Sequence, residues 1–162
     1  MAFDILYREH YQAIFRFACR LVGQADDARD IAQETFLKLH RQLAGRDVPH
    51  RPRAWLYRVS ANLCLNLQRQ RQRRRELLQR HATEQPPPVA EPWDPVRAER
   101  KARFRAALTR LPERDRLLLN LYRDGLSYAE MAEIAGIKPT SVGQTLSRAI
   151  ARLTRAAKEP TR

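Results

Sequence analysis

A cluster of prolines divides this chain into two parts. Five of the residues in ATEQPPPVAEPWDP, residues 82–95, are proline, which fixes the backbone and removes an amide donor at each position. The segment therefore favours extended chain over helix. On both sides of it, apolar residues recur at helical spacing, and no long stretch alternates with the period of a strand. The sequence predicts an all-α protein with two small helical domains, residues 1–81 and 96–162, joined by a Pro-rich linker over 82–95.

The first domain should be a bundle of three to four helices. An opening helix runs from about Asp4 to Gly23, and a second, for which Asp26 or Asp27 can supply the cap, ends near Gly45. A polar loop leads to a long helix that begins near residue 53 and passes residue 75. The apolar spacing predicts these core positions: Ile14, Ala18, Leu21 and Val22 on the first helix; Ala28, Ile31, Ala32, Thr35, Phe36, Leu39 and Leu43 on the second; Leu56, Val59, Leu63 and Leu67 on the third.

The second domain contains a helix-turn-helix pattern. Ser127 and Glu130 have the spacing of a capping box, in which each side chain bonds the other's free backbone amide, so a helix should begin at Tyr128. Gly136 supplies the turn, and the next helix should begin near Pro139. Two further helices are expected upstream, over about 95–109 and from the sequence LPERD onward.

The chain carries a large excess of positive charge. Lys and Arg number 31 against 18 Asp and Glu, which gives a formal net charge of +13. Such an excess favours a polyanionic partner, either nucleic acid or an acidic membrane surface, over a merely solvated basic surface. No apolar run is long enough to cross a bilayer, and the amino terminus lacks the pattern of a signal peptide. We therefore expect a cytoplasmic protein without membrane insertion.

Cysteine and histidine give no sign of a metal or redox site. Cys19 and Cys64 lack CxxC spacing and lie in apolar helical patterns, which favours buried thiols over a redox pair. The four histidines are scattered, and none is spaced to share a metal with a Cys or a carboxylate. We expect neither a metal nor a cofactor.

The last helix of the helix-turn-helix pattern favours DNA binding over the alternative of a purely structural hairpin. Its first residues would enter a major groove, where Gln144 can pair with adenine and neighbouring hydroxyls can meet base edges. The candidate DNA-binding residues are Lys138, Thr140, Ser141, Gln144, Thr145, Arg148 and Arg152, of which the basic ones, together with Arg155, would contact phosphates. Base-reading chemistry is weak here, so specificity is expected to be shared with another element.

A polar stripe on the long helix of the first domain is that other element. Its members recur at spacings of three and four residues, and the run QRQRQRRR extends it: Arg58, Asn62, Asn66, Arg69 and Arg73. Trp55 and Tyr57 accompany this basic stripe. Basic groups for phosphates, with rings or amides for exposed bases, suit a nucleic-acid strand. The alternative is a solvated helix with one core Trp.

A face of opposite charge is predicted on the second helix. It lies away from the core positions of that helix, and we call it the acidic face: Asp27, Asp30, Gln33, Glu34 and Leu37. Because carboxylates repel DNA, this face should meet a basic protein partner. The preference of acidic residues for a helix N-terminus also explains Asp26 and Asp27, but it explains Glu34 poorly and Leu37 not at all.

Together these segments resemble the bacterial RNA polymerase sigma factors of the extracytoplasmic-function group, within the sigma-70 family. DARDIAQETFLKLHR resembles the polymerase-binding segment of that family, and RAWLYRVSANLCLNLQRQRQRR resembles its minus-ten-reading segment. The sequence from LTRLPERD to SRAIARL resembles region four, which reads the minus-thirty-five element. The first domain would then be region two, and the resemblance covers most of the chain.

The resemblance implies partners for each surface. The acidic face would bind the clamp helices of the polymerase beta-prime subunit, and the second domain would meet the flap of the beta subunit. The loop from Gly45 to Arg53 and the basic stripe would hold the non-template strand as it melts, with a base flipped from the stack. The implied minus-ten residues are Arg53, Trp55, Tyr57, Arg58, Asn62, Asn66 and Arg69. Promoter DNA, core polymerase and an anti-sigma protein are the implied partners, and no bond chemistry is implied.

Three positions, in two helices, depart from the family pattern. Gly143 and Thr145 stand where Lys and Arg are common in the recognition helix, and Asn66 replaces an Asp often found in the minus-ten helix. Minus-ten contacts and polymerase docking should therefore matter at least as much as base reading by the second domain.

Two other functions compete with this interpretation. A free-standing operator-binding regulator would use the helix-turn-helix alone and leave the acidic face and basic stripe unexplained. A nucleic-acid enzyme such as a recombinase would need a nucleophile with convergent Arg or clustered metal carboxylates, and the sequence shows neither.

Overall fold

The computed structural model describes residues 2–45, 48–78 and 95–158, with no side-chain description for 95–98. The chain divides into two compact units, Met1–Val89 and Ala90–Arg162. The described residues form seven helices and no strand, which confirms the all-α prediction. The predicted linker over 82–95 lies outside the described residues, except for Pro95, where the fourth helix begins.

The first unit is built from three helices, α1 (Ala2–Val22), α2 (Ala25–Ala44) and α3 (Pro52–Leu78). Each of them packs against the other two. The core is apolar, with Ile14, Phe17, Leu39 and Leu56 all at 0% exposure. Of the four core positions predicted on α1, Ile14, Ala18 and Leu21 are buried and Val22 is half-buried. All those predicted on α2 are buried except the half-buried Leu43. The helical periodicity of α1 and α2 therefore located most of this core.

Two local predictions in this unit were wrong. The N-cap of α2 is Gln24, which makes no side-chain capping bond, and Asp26 and Asp27 lie inside the first turn. Carboxylates there still offset the helix dipole. On α3, Leu56 is buried but the three other predicted core leucine and valine positions are only half-buried. The buried face is made of smaller or mixed residues: Ala54, Leu56, Tyr57, Ser60, Ala61 and Cys64.

The face of α3 differs from the prediction because two of its neighbours approach it closely. Small side chains such as Ala54 and Ala61 leave room for α1 and α2, so they lie at the centre of the contact. The longer side chains of Val59, Leu63 and Leu67 then flank that contact. A prediction from periodicity alone favours the largest apolar residues, so it assigned these three flanking residues to the core.

The second unit contains α4 (Pro95–Thr109), α5 (Glu113–Arg123), α6 (Tyr128–Ala135) and α7 (Pro139–Lys158). Helix α7 packs on the other three helices through the buried residues Val142, Leu146 and Ala149. The pair α6 and α7 forms the predicted helix-turn-helix. Gly136 ends α6 in the left-handed conformation, with φ of 65°, which glycine adopts without a steric penalty.

The capping box at the start of α6 is present as predicted. The backbone amide of Glu130 donates to Ser127 Oγ at 3.3 Å, and the amide of Ser127 donates to Glu130 Oε2 at 2.8 Å. These two bonds begin α6 at Tyr128 and set its register against α7.

Replacing Ser127 with Ala is expected to destabilise α6 by about 1 kcal/mol, because one amide of its first turn loses its acceptor. Hydrogen exchange of the α6 amides should accelerate by about fivefold, whereas the α5 amides change little. Ser127→Asp, which also accepts at an N-cap, is the matched control and should retain protection. Equal protection in Ser127→Ala and the native chain would show that the cap does not hold this helix.

Within the part of the chain that the structure describes, none of the helices combines the length and the apolar content needed to cross a bilayer.

Candidate functional site

The acidic face on α2 presents carboxylates around an exposed leucine. Asp30 and Gln33 are exposed, and Leu37 is 50% exposed. Glu34 is half-buried and pairs along the helix with Lys38 at 3.4 Å and with Arg41 at 3.9 Å. These pairs lie at the surface and contribute at most about 1 kcal/mol, so a partner can replace them at small cost.

Asp27 differs from the other members of the acidic face. Its carboxylate is half-buried and forms an ion pair with Arg71 of α3. The structure therefore commits Asp27 to a contact inside the unit, contrary to the prediction that it faces a partner. Asp26, which sequence reasoning treated only as a cap, lies one helical turn before Asp30 with a side chain 92% exposed, and it extends the acidic face. The i, i+4 spacing was the signal for it.

The basic stripe occupies the outward face of α3. Asn62, Asn66, Arg69 and Arg73 are exposed, and Arg58 is half-buried. Trp55 is half-buried and lies one turn before Arg58, so its ring shares this face. The structure thus brings together one aromatic ring, two amides and three guanidinium groups along a single helix.

Two of the predicted minus-ten residues lie on the inner side of α3. Tyr57 is 2% exposed and packs edge-on against Phe17 of α1, with ring centroids 5.0 Å apart. Its ring cannot stack on a base in this conformation. Arg53 is half-buried, and its guanidinium carbon lies 5.8 Å from the centroid of the Tyr57 ring. The prediction placed both on the nucleic-acid surface because they lie near Trp55 and Arg58 in the sequence. It did not take into account that residues two apart point to different sides of a helix.

The far end of α3 is tied to the turn between α1 and α2. Gln68 donates to the carbonyl of Leu21, and Arg71 reaches the carbonyl of Val22 at 3.4 Å. Arg71 also pairs with Asp27, as described above. These bonds satisfy carbonyls at the end of α1, which have no partner within the helix. Part of the run QRQRQRRR is therefore structural, while Arg69 and Arg73 remain on the outward face.

The loop before α3 is only partly described. Residues 46 and 47 lie outside the described residues. Val48 is 60% exposed and His50 is exposed, whereas Pro49 is buried. Val48 and His50 can therefore meet a nucleic-acid strand.

The outward face of α7 carries the predicted DNA-binding residues of the second unit. Thr140, Gln144 and Arg148 are exposed, as is Lys138 just before the helix. Ser141 and Thr145 are half-buried, and Thr145 Oγ1 donates to the carbonyl of Ser141 at 2.7 Å. That bond uses the Thr145 proton, so Thr145 can offer its methyl group to base edges, beside the exposed side chains of Gln144 and Thr140.

Gly143 lies against an aromatic ring of α6. A Cβ atom placed at this position would be 3.5 Å from Cε2 of Tyr128, an ordinary van der Waals contact. Tyr128 itself is 47% exposed at the first position of α6. Neither backbone conformation nor crowding at the Cβ position requires glycine at position 143.

Arg152 was predicted to contact phosphate, but the structure pairs it within the unit. Its Nη1 donates to Oδ2 of Asp115 on α5 at 2.5 Å. The Asp115 side chain is only 5% exposed. A partner 37 residues away in the chain gives no periodic signal, and sequence reasoning missed it.

The two cysteines are free thiols, with Cys64 buried and Cys19 half-buried. Burial raises the pKa of the Cys64 thiol to about 12, which keeps it protonated and unreactive near neutral pH. Burial also raises the pKa of Cys19. Among the described residues, no group of three His, Cys, Asp or Glu side chains is arranged to hold a metal ion.

Comparison with protein families finds two matches in order along the chain. Residues 6–74 match sigma-70 region 2, and residues 101–153 match sigma-70 region 4. The first match contains the acidic face and all five residues of the basic stripe, and the second contains the helix-turn-helix.

Similar proteins cover nearly the whole chain. The sigma factor SigE of Mycolicibacterium smegmatis, of the extracytoplasmic-function (ECF) group, is 33% identical over 91% of this chain, which spans 58% of that relative. The ECF sigma factor SigM of Mycobacterium tuberculosis is 31% identical over 95% of this chain, which spans 76% of that protein. Among solved structures, the sigma factor RpoE of Bartonella quintana, in complex with the anti-sigma factor NepR, has a TM-score of 0.77. That likeness, at 23% identity and 99% coverage of both chains, concerns the fold.

Proposed function

We infer that this chain, which belongs to the extracytoplasmic-function group of the sigma-70 family, directs promoter-specific transcription initiation by RNA polymerase. The observation that carries this inference is the order of the two matches, region 2 before region 4, on a chain that also exposes an acidic face and a basic stripe. Sigma factors are regulators and not generally enzymes. We extend this to the chain itself, which would supply specificity while the polymerase supplies the chemistry.

The acidic face is the proposed docking surface for the core enzyme. Asp30, Gln33 and Leu37 are exposed together on one face of α2, and Glu34 pairs at the surface with Lys38 and Arg41. The negative charge of this face and the exposed Leu37 at its centre suit a basic protein surface that includes an apolar contact. The proposed binding site is the pair of clamp helices in the beta-prime subunit. Asp26 extends this surface, whereas Asp27 contributes indirectly through Arg71 by fixing α2 against α3.

The basic stripe is the proposed reader of the minus-ten element. Arginine groups would neutralise phosphates of the non-template strand, while Trp55 and the amides of Asn62 and Asn66 would meet unstacked bases. Exposed loop residues around Val48 and His50 lie just before α3 and would complete a pocket for a flipped base. Tyr57 and Arg53 support this surface from the inner side of α3.

The second unit is proposed to bind the minus-thirty-five element and the flap of the beta subunit. Lys138 and Arg148 would contact phosphates around α7, with Gln144 and Thr140 nearest the base edges. An anti-sigma protein that covers these surfaces is a further proposed partner. The RpoE neighbour, which was solved with such a protein, supports this proposal at the level of fold.

Placing Arg at position 143 should strengthen duplex binding. The first two turns of α7 carry no cation, and a Cβ atom at position 143 would make only an ordinary contact with Tyr128. The slope of log affinity against log salt should steepen by about one unit, as expected for one added phosphate contact. Gly143→Ala is the matched control, because it stabilises the helix by about 1 kcal/mol without adding charge and should leave the slope unchanged. An unchanged slope in Gly143→Arg would place position 143 away from the DNA backbone.

The experiment that tests the function combines the purified chain with core bacterial RNA polymerase. We expect a stoichiometric complex that transcribes from genomic fragments ignored by core alone, with start sites that reveal the promoter elements. A free-standing operator-binding regulator would instead bind duplex DNA without affinity for polymerase. That outcome would reject the proposed function and leave the acidic face in need of another partner.

A further inference from the structure

We propose that Asp115 and Arg152 form an ion pair that positions α7 for promoter reading, so that Arg152 is a positioning residue and not a phosphate contact. This proposal rests on the proposed function, since it concerns how the second unit holds its DNA-reading helix. It assigns Asp115, an acidic residue in a strongly basic chain, a part in promoter recognition.

The pair joins a buried carboxylate to a guanidinium at the surface, since the Arg152 side chain is 52% exposed. Asp115 lies in the first turn of α5, and its side chain is 5% exposed. Within the described residues, Arg152 Nη1 donates a 2.5 Å hydrogen bond to the Asp115 carboxylate. A buried carboxylate without its cation is strongly unfavourable, so this pair is maintained in the folded unit. Arg152 therefore has a preferred partner before any DNA arrives.

The position of the pair explains why it would matter for reading bases. Val142, Leu146 and Ala149 hold α7 on the unit by apolar contact, which is favourable over a range of small rotations and shifts. An ion pair with a hydrogen bond is directional and selects one of these arrangements. Polar contacts at helix packing surfaces are best attested as devices that fix register, and the buried Asp115 carboxylate supplies one here. Gln144 lies about two helical turns from Arg152, so any rotation of α7 displaces its amide from a base edge.

The electrostatics also argue against Arg152 as a phosphate contact. A phosphate that approached the guanidinium would find a positive charge already offset by the Asp115 carboxylate, which lies 2.5 Å from Arg152 Nη1. The cations of α7 that remain exposed without a described carboxylate partner are Arg148 and Arg155, together with Lys158 at its end. Both residues of the pair line the same cleft as Thr145 and Arg148, which places the pair beside the reading surface.

The decisive variant is Asp115→Asn, because it breaks the ion pair without removing a cation. Holoenzyme is assembled from core bacterial polymerase and the full chain, and its affinity is measured on a promoter and on the same fragment with a scrambled upstream element. We expect Asp115→Asn and Arg152→Gln each to lower discrimination between the two fragments by about tenfold, the value of one lost base contact. The salt slope should stay the same in both variants, and the double variant should be no worse than either single one.

Arg105→Gln is the matched control, because it removes an exposed arginine from α4 in the same unit and should leave discrimination unchanged. Thermal melting checks that each variant is folded at the assay temperature. If Arg152→Gln fails to fold because a buried carboxylate is left alone, the double variant, which has no such charge, takes its place. A structural role alone would lower the melting temperature without changing discrimination in folded protein, and that result would overturn the proposal.

If Asp115→Asn discriminates between the two fragments as well as the native chain does, and Arg152→Gln lowers the salt slope by about one unit, the proposal is also overturned and Arg152 is a phosphate contact.

Failure of the native chain to bind core polymerase is a different result, which rejects the proposed function. The same variants are then compared in duplex binding without polymerase. Loss of sequence discrimination there in Asp115→Asn would still support the positioning role, and unchanged discrimination would reject it.

Discussion

Lysine in place of both Asp30 and Glu34 is expected to abolish binding to core RNA polymerase. The two substitutions reverse the charge of the acidic face, and they place lysine where a basic partner surface should dock. Like charges at an interface cost several kcal/mol, so affinity should fall by roughly a hundredfold or more. The measurement is the dissociation constant of the complex with core polymerase, by fluorescence or mass-sensitive titration.

The fold should survive this change. Asp30 is exposed, and the pairs that Glu34 makes with Lys38 and Arg41 are surface pairs of small energetic value. A matched control changes the net charge equally on other helices of the same unit, by Glu9→Lys on α1 with Glu76→Lys on α3. That control should keep most of the affinity for core polymerase. If both double variants bind core polymerase equally well, α2 is not the docking helix.

Alanine in place of both Arg58 and Asn62 is expected to impair promoter opening while core polymerase binding stays near native. These residues lie on the outward face of α3, one turn apart, and would hold a phosphate and an unstacked base of the melted strand. Loss of a base contact of this kind costs about 1–3 kcal/mol, so open complexes should decrease by roughly tenfold or more. Permanganate reactivity of melted thymines on promoter DNA measures the open fraction directly.

The control for this variant removes one arginine and one amide from another helix of the unit. Arg16→Ala with Gln12→Ala does so on the exposed side of α1 and should leave opening unchanged. A DNA fragment melted in advance across the minus-ten element should restore part of the lost activity. Equal losses in polymerase binding and in opening would mean that the stripe serves the fold or the docking surface and does not read DNA.

The helix-turn-helix illustrates what could be predicted from sequence alone. The capping box joins residues three apart, and Gly136 takes a conformation that glycine adopts without penalty. Both signals are local, and the structure confirms each of them. The start of α7 at Pro139 followed from the same short-range reasoning.

The inner surfaces of α3 show where that reasoning failed. The spacing of two residues between Trp55 and Tyr57 already puts their side chains on different sides of a helix. The sequence does not reveal which of these sides packs against α1. Close approach by α1 and α2 selected the small residues Ala54 and Ala61, and with them Tyr57, as the contact. The prediction therefore assigned to nucleic acid a ring that packs on Phe17.

For the charged residues too, the sequence predicted some roles and the tertiary structure decided others. Composition, periodicity and local signals determined an all-α chain with an acidic face on α2, a basic stripe on α3 and a helix-turn-helix, because each arises from residues within a few turns of one helix. Only the tertiary structure decided that Asp27 pairs with Arg71 and that Asp115 pairs with Arg152. Those pairs join residues far apart in the chain, and a charge acquires a fixed partner at that separation only when folding brings the two side chains together and partly shields them from water.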